Sequence, residues 1–550
     1  MKYGIGLLLI LFGIQVVNAQ VNSDDSVSVE NSRIEGIEIF EKPEPLIPVP
    51  QQIFTKPEFK YKEVTFKIPI ELPSSSIRLP MPLTTPLPLY PRGYVKLGLG
   101  RFGGSVGDIA LHHAPNQKTA WYIQHRHRAH SVGFIDKAQD LNESFQTGGS
   151  LALPQHEFRY HILGDYQQFY HYGVPTSTQN ILLATPRPEV MTDGKGNFGR
   201  TEAQIGLHRV DSSHSSGYSG DIRYRYFKEK TGASENHISL LPTGNFRLGD
   251  YTFIRGKGEF TFSSISDYQR TASRTFIDLT PDFVFQKENF YLSGGVRLNY
   301  YQDTTPSYVL LPIIKVRFEI IPDRLRLHLG NGGGMQWDTR WTRFMENRYL
   351  FNTLNLLPTQ EKWKVFMELE GNLPKGWYGT LRMERKNYKR LPVYVETPGL
   401  PGYFSLAYDE GANVTQLSGV LTWKQQTQWQ SGISAQYNWY SMGQLAANFH
   451  QPVFRMEAFL TWAPTSKFSL TLRSFTFGSR PLAQKTESSG TTTIIKAPAF
   501  TDLSLHTEYR FYKSFSLFLE GSNLSGQTWT RWYLYPEMPL DFRAGLGATF

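Results

Sequence analysis

Counting back from Phe550 in steps of two meets Ala548, Leu546, Ala544, Phe542 and Leu540, all apolar. Between them stand Thr549, Gly547, Gly545, Arg543 and Asp541, all small or polar. Successive side chains on a strand point to opposite faces, so the pattern predicts a strand with one apolar and one wet face. Its length suits an oblique crossing of a bilayer, which takes about 9–11 residues. The same period recurs upstream. Leu503, Leu505, Tyr509 and Phe511 alternate with Ser504, His506, Glu508 and Arg510, and Phe515, Leu517 and Leu519 with Ser516, Phe518 and Glu520. Equivalent runs occur at Met456/Ala458/Leu460/Trp462, Trp363/Val365/Met367/Leu369, Leu325/Leu327/Leu329, Val296/Leu298/Tyr300 and Ile222/Tyr224/Tyr226. From Tyr94 onward the period is two, with no helical periodicity in evidence.

The connections alternate as well. Tight ones fall at Tyr512-Lys513, Pro464 to Lys467 and Ile321 to Asp323; long, polar ones run from Ser479 to Ala499, Lys386 to Gly402 and Gly526 to Pro539. Two-faced strands that cross a bilayer must close on themselves, because an open edge would strand backbone groups in lipid. The predicted fold class is therefore all-β: a transmembrane antiparallel β-barrel over residues 91–550, with short turns at one end and long loops at the other. The spacing predicts an even number of strands, about 16 within a range of about 14–20.

Ahead of the barrel, Lys2, an apolar run from Ile5 to Val17 and the small residues before Gln20 predict a signal peptide over residues 1–19. Gln20 in place of cysteine argues against a lipid anchor. Residues 20–90 begin with an acidic stretch, Asp24 to Glu41, and are then proline-rich: twelve of the 33 prolines lie between Pro43 and Pro91. Proline fixes φ and removes a donor, so an extended arm is expected there and no packed domain. No run reaches the roughly 18 apolar residues of a spanning helix. Cysteine is absent, which excludes disulfides and thiolate metal sites. The net charge of +9 is spread over 550 residues without a basic block, so nucleic acid is not an expected partner.

Several motifs invite chemistry. Gly98-Leu99-Gly100-Arg101-Phe102-Gly103 fits a dinucleotide fingerprint and Gly103-Gly104-Ser105-Val106-Gly107 fits a nucleophile elbow. Both require a following helix, and Ser105 to His113 reads as a strand, so a glycine-rich turn is the expectation. Eight of the 14 histidines lie between His112 and His171. His125 and His127 share one strand face at a spacing that suits a shared metal ion, but without cysteine or a close carboxylate pair a polar lumen or loop lining is the expectation. A hydrolase site joining Ser105 to one of these histidines is the geometric alternative. The inward sets place Arg223, Arg225, Arg324, Arg326, Lys364, Glu368, Arg473, His506, Glu508 and Arg510 as lumen-lining candidates, and the four arginines from Arg223 to Arg326 hint at an anion path. Aromatics near strand ends (Trp423, Trp439, Tyr440, Trp462, Trp529, Trp532, Tyr533, Tyr535) are expected to form interfacial girdles.

The strand ending at Phe550 resembles the closing strand of Gram-negative outer-membrane barrels, and that resemblance implies that Phe550 is read as an assembly signal by the barrel-assembly machinery. Leu517-Phe518-Leu519-Glu520-Gly521-Ser522-Asn523-Leu524, the loop through Trp532-Tyr533-Leu534-Tyr535-Pro536 and the final strand resemble the last hairpin of TonB-dependent receptors; Tyr94 to Gly100 and the strands through Trp121 to Phe134 are similar to barrel segments of that family. The resemblance implies an outer-membrane location among outer-membrane lipids with both termini periplasmic, and transport as the function. It also implies a plug domain, which residues 20–90 are too few to supply; Ile34 to Phe40 resembles a TonB-box strand. The expectation is a plugless, receptor-like barrel for solute passage, without cofactor or enzymatic activity. The alternatives are a structural subunit of an outer-membrane secretion or assembly complex, its arm binding periplasmic or outer-membrane partners, and a barrel-embedded hydrolase.

Overall fold

The computed structural model describes residues 92–550, apart from 117, 132, 134, 136–137, 175–193, 210–215, 268–270, 304, 352–355, 426–427, 487–490 and 538. The expectations for residues 1–19 and 20–90, the Ile34–Phe40 strand included, lie outside the described residues. From Gly93 to Thr549 the chain forms one closed antiparallel ring of 22 strands. Gly93–Gly100 pairs on one side with Ser105–Asn116 and on the other with the last strand, Asp541–Thr549, so no edge remains. The backbone of Phe550 exchanges both hydrogen bonds with Gly93, at 2.9 and 3.0 Å.

Alternation sorts the side chains as the sequence requires. Leu99, Leu546 and Tyr308 stand 75%, 61% and 67% exposed on the outer face, in a belt continued by Ile123, Phe145, Ile222, Val365 and Leu517. Their strand neighbours Lys96, Asp108, Glu202, Gln416 and Phe518 are buried inside. An apolar belt over a polar interior is the reverse of a water-soluble barrel and identifies the outer face as the one that meets lipid.

The ring has 22 strands where the spacing predicted about 16. The short-turn/long-loop rule fails as a divider in the first half, because Arg101–Gly103 and residues 230–233 are also tight yet lie at the long-loop end. In the second half, Lys386 to Gly402 is no loop. Trp377–Thr397 is one continuous strand that outruns the ring and pairs beyond it with Leu400–Asp409.

Glycine is required at two places. At the seam, Gly98 faces Gly545, and a Cβ on Gly545 would stand 2.2 Å from the Leu97 carbonyl and 2.4 Å from the Phe518 ring. The inward Phe518 ring occupies the space these residues leave empty. At the end of Leu325–Gln336, Gly333 and Gly334 adopt φ of +134° and +122° and shift the register in a bulge. A bulge bends its strand, and here Met335, with Trp337 against it, packs beside Phe276 and Tyr301. The loop that follows enters the lumen.

Candidate functional site

A ring of this many strands encloses more space than wall side chains can fill. The segment from Trp337 to Phe351 occupies part of it. Thr339 opens the helix α1 (Arg340–Glu346) with a capping box, its hydroxyl accepting from the Thr342 N–H at 3.0 Å while Thr342 accepts from the Thr339 N–H at 3.1 Å. One side of the helix is aromatic: Trp341 and Phe344 pack on Phe198 and Phe227 of the wall. The other carries Arg340 and Arg343, both fully buried.

Each arginine is matched by carboxylates. Arg340 reaches Glu229 at 3.2 Å and Asp267 at 2.9 Å, and its backbone N–H donates to Glu235 at 2.7 Å. Glu235 also takes Arg274 at 2.5 Å. Arg343 lies 2.5 Å from Asp338 and 3.0 Å from Glu346; burial opposes its charge, but the two carboxylates prevail and hold the guanidinium well above its usual range. Arg348, just past the helix, pairs with Asp140 on the wall. Buried ions are tolerated only when so paired, and removing one partner of such a pair costs about 3–5 kcal/mol.

Across the lumen the segment meets the other loops. Tyr349 stacks on Tyr535 at 3.5 Å between centroids, and Phe404, Trp532 and Tyr394 complete a cluster that joins Phe169, Phe198 and Phe227 to the loop before the last strand. His450 sits edge-on to Phe404 and 4.9 Å from the Trp532 ring. Its Nδ1–H donates to the Tyr394 carbonyl at 3.2 Å and its Nε2 accepts from the Tyr533 N–H at 3.4 Å, an arrangement only the neutral ring allows. Burial lowers its pKa to about 3.

Beneath this closure lies a chamber of about 210 Å³. Phe344, Met345 and Tyr349 roof it, and its walls bring together five arginines (128, 348, 473, 531, 543) and five carboxylates (Asp140, Glu346, Asp502, Glu520, Glu537). The equal numbers do not favour an anion filter.

Of the lumen candidates, Arg473 and His506 line this chamber. Glu508 lies just beside it, 2.6 Å from Lys96. The remainder are dispersed. Arg225 is held by Glu202 at 2.5 Å and Arg223 by Gln204 at 3.1 Å on the strand Ser216–Glu229. Arg326, on Leu325–Gln336, pairs with Glu319 at 3.2 Å; five strands separate it from Arg223 and Arg225, so the four arginines form no cluster. Arg324 is exposed in the turn before that strand and lines nothing. Lys364 lies 3.7 Å from Glu361, Glu368 binds Arg382 at 3.1 Å, and Arg510 ends its strand at the short-turn rim.

The girdle holds for Trp423, stacked on Trp377, for Trp462, stacked on Trp429, and for the exposed Trp439. It fails for Tyr440, Trp529, Trp532 and Tyr535, which pack inward; Trp529 stacks on Phe500 at 3.9 Å. The histidines also separate. His130 lines the chamber, His171 stacks on Tyr403, and His125 and His127 face outward, on the same side as Ile123. Among the described residues no group of three or more His, Asp and Glu is placed to hold a metal ion. The closing segment itself escaped the sequence reading. Its signal was present in Arg340-Trp341-Thr342-Arg343-Phe344, where aromatic and basic residues each repeat at a helical spacing of three.

Fold and site together define a wide transmembrane β-barrel closed at one end by its own loop. Solved structures share this fold. The ferric-catecholate import receptor Fiu of E. coli, in a closed form, matches with a TM-score of 0.63 at 11% identity, over 84% of this chain and 82% of its own. The FrpB iron transporter of Neisseria meningitidis matches with 0.62 at 8%, over 84% and 82%. A mutant of the ferric enterobactin receptor PfeA of Pseudomonas aeruginosa matches with 0.59 at 12%, over 84% and 80%. These are TonB-dependent receptors, the class whose last hairpin the C-terminus resembles. No protein-family model matches the chain, and no curated protein matches its sequence.

Proposed function

We propose that the chain is an outer-membrane barrel that passes a small charged solute through a lumen gated by its own in-folded loop. One observation carries this reading: α1 lies inside the ring with Arg340 and Arg343 fully buried, Arg340 paired to Glu229 of the wall, above a chamber lined by both charges. A purely structural barrel gains nothing from a closure built on buried ion pairs, which are expensive to desolvate and easily biased between two states. The likeness to proteins described as import receptors and iron transporters supports passage as the task. In this reading both termini are periplasmic, the long loops face outward, and Phe550 serves as the assembly signal. Residues 20–90 act as an arm for partner proteins in place of a standard plug.

Liposome swelling tests the proposal. Full-length protein and a variant with residues 339–347 replaced by a glycine–serine linker are reconstituted and challenged with zwitterionic, anionic and neutral solutes. Passage through the variant well above that of the parent chain is the expected result. Two equally sealed barrels, co-purifying with other membrane proteins, would favour the structural-subunit reading instead.

A further inference from the structure

Three side chains on the outer face form an arrangement that the lumen does not use. Ser105, His127 and Glu143 belong to consecutive strands, Ser105–Asn116, Thr119–Ser131 and Gln139–Ala152. The register pairs His127 directly with Glu143, and Ser105 with Ala129, one step along the same face from His127. All three point outward. Their alternation partners Val106, Asp108 and Asn142 lie inside, while Ile109, Ile123 and Phe145, in phase with them, are exposed.

The Ser105 hydroxyl stands 2.8 Å from His127 Nε2, and His127 Nδ1 stands 2.6 Å from Glu143 Oε1. A carboxylate only accepts, so Nδ1 carries the proton. Nε2 is then the basic nitrogen, and the Ser105 hydroxyl donates to it. His125 Nε2 flanks the other Glu143 oxygen at 3.0 Å. This is the order nucleophile, base, orienting acid that activates a serine. The residues are reachable: His127 and Glu143 each keep 31% of the side chain exposed. Beside them Gly103 leaves open space, and Leu97 and Leu99 offer an aliphatic surface at 58% and 75% exposure.

Depth matters as much as geometry. Ser105 begins its strand at the long-loop rim, and His127 and Glu143 lie four residues from that rim on theirs. At about 3.3 Å per residue this is about 13 Å along the strand. Polar groups on the lipid face are least costly near the interface, where ester linkages of lipids also reside and water has access.

We propose that Ser105, His127 and Glu143 form a membrane-facing esterase site that hydrolyses an ester-linked acyl chain of a membrane lipid. Ser105 Oγ attacks the ester carbonyl carbon while His127 Nε2 takes its proton. The ester C–O bond breaks, and the departing alcohol oxygen receives that proton from His127. The acyl group then sits on Ser105 as an ester. Water attacks this ester, again giving a proton to His127, and the Ser105–acyl bond breaks with return of the proton to Ser105. The sum is one lipid ester plus water giving one fatty acid and one alcohol. Glu143 holds the imidazole and balances its transient charge. The site is independent of solute passage through the lumen.

The test uses full-length barrel whose folding is verified by heat-modifiable gel mobility. It is mixed with vesicles of phosphatidylethanolamine and phosphatidylglycerol, or with vesicles doped with lipid A, and fatty-acid release is followed by mass spectrometry. A fluorophosphonate probe reports in parallel on an activated serine. Release from one of the two lipid sources identifies the substrate. The expected result is release and probe labelling at Ser105, both lowered by at least about 10³-fold in Ser105→Ala and His127→Ala and less in Glu143→Gln. Equal release by the parent chain and folded Ser105→Ala would overturn the assignment. So would a folded parent chain that neither releases fatty acid nor takes the probe.

Discussion

Arg340 shows most plainly what a single residue does here. Its guanidinium is fully buried and paired with Glu229 and Asp267, at 3.2 and 2.9 Å. Arg340→Ala removes the cation that Glu229 and Asp267 share. The expected penalty is about 3–5 kcal/mol, felt as release of the segment from Trp337 to Phe351 because the ring keeps its own ladder. Protease cleavage within that segment should rise while the gel mobility of the folded ring stays unchanged. His450 gives a second expectation, in pH. Its pKa falls from 6.5 to about 3 through burial. Protonation therefore favours the opened state: the stabilising contribution is whole above pH 6.5 and declines as pH falls toward 3. Because the ring lies 4.9 Å from Trp532, tryptophan emission should shift within that window, and His450→Phe should flatten the change.

Among the elements, the glycine bulge and the seam were only half visible in the sequence. The alternation of Leu540 to Phe550 predicted the closing strand and its faces correctly, since one buried and one lipid face leave no other register. Nothing in Asn331-Gly332-Gly333-Gly334 says that the strand bends inward; that follows from Arg297 donating to the Gly333 carbonyl at 2.8 Å across the sheet. Gly334→Val should disturb the bend, because φ is +122° and a Cβ would lie 2.5 Å from Asn299 Oδ1. The expected signature is loss of the folded loop with the ring intact, read by the same proteolysis. Gly545→Leu acts instead on closure of the ring, where Leu97 and Phe518 leave no room; reduced yield of the heat-modifiable folded form is expected. The Lys386 to Gly402 stretch misled for a different reason. Beyond the membrane, inner and outer faces are both covered by loops, so Leu391, Val393 and Tyr394 are all buried and the period of two disappears.

At the scale of the whole molecule, strand number decides what the lumen must contain. Sequence pattern located the barrel and its outer belt, but it underestimated the circumference, and with it the space left to fill. Composition could not show that Arg473 and His506 share a chamber while Arg223 and Arg326 do not, because register around the ring sets that. For the same reason the sequence offered Ser105 with any of several histidines but did not single out His127 as its partner or Glu143 at all. With Arg340 anchoring α1 to Glu229 of the wall, Arg343 holding the segment together through Asp338 and Glu346 and reaching the Thr359 hydroxyl, and Tyr349 stacked on Tyr535 opposite, the barrel should be closed at rest and open when these ties are lost. Single-channel conductance in planar bilayers measures this directly, comparing the full chain with the Arg340→Ala/Arg343→Ala variant. Long closed periods in the full chain, and frequent or sustained openings in the variant, are the predicted result. A full chain already open at the variant's conductance would contradict closure by the loop.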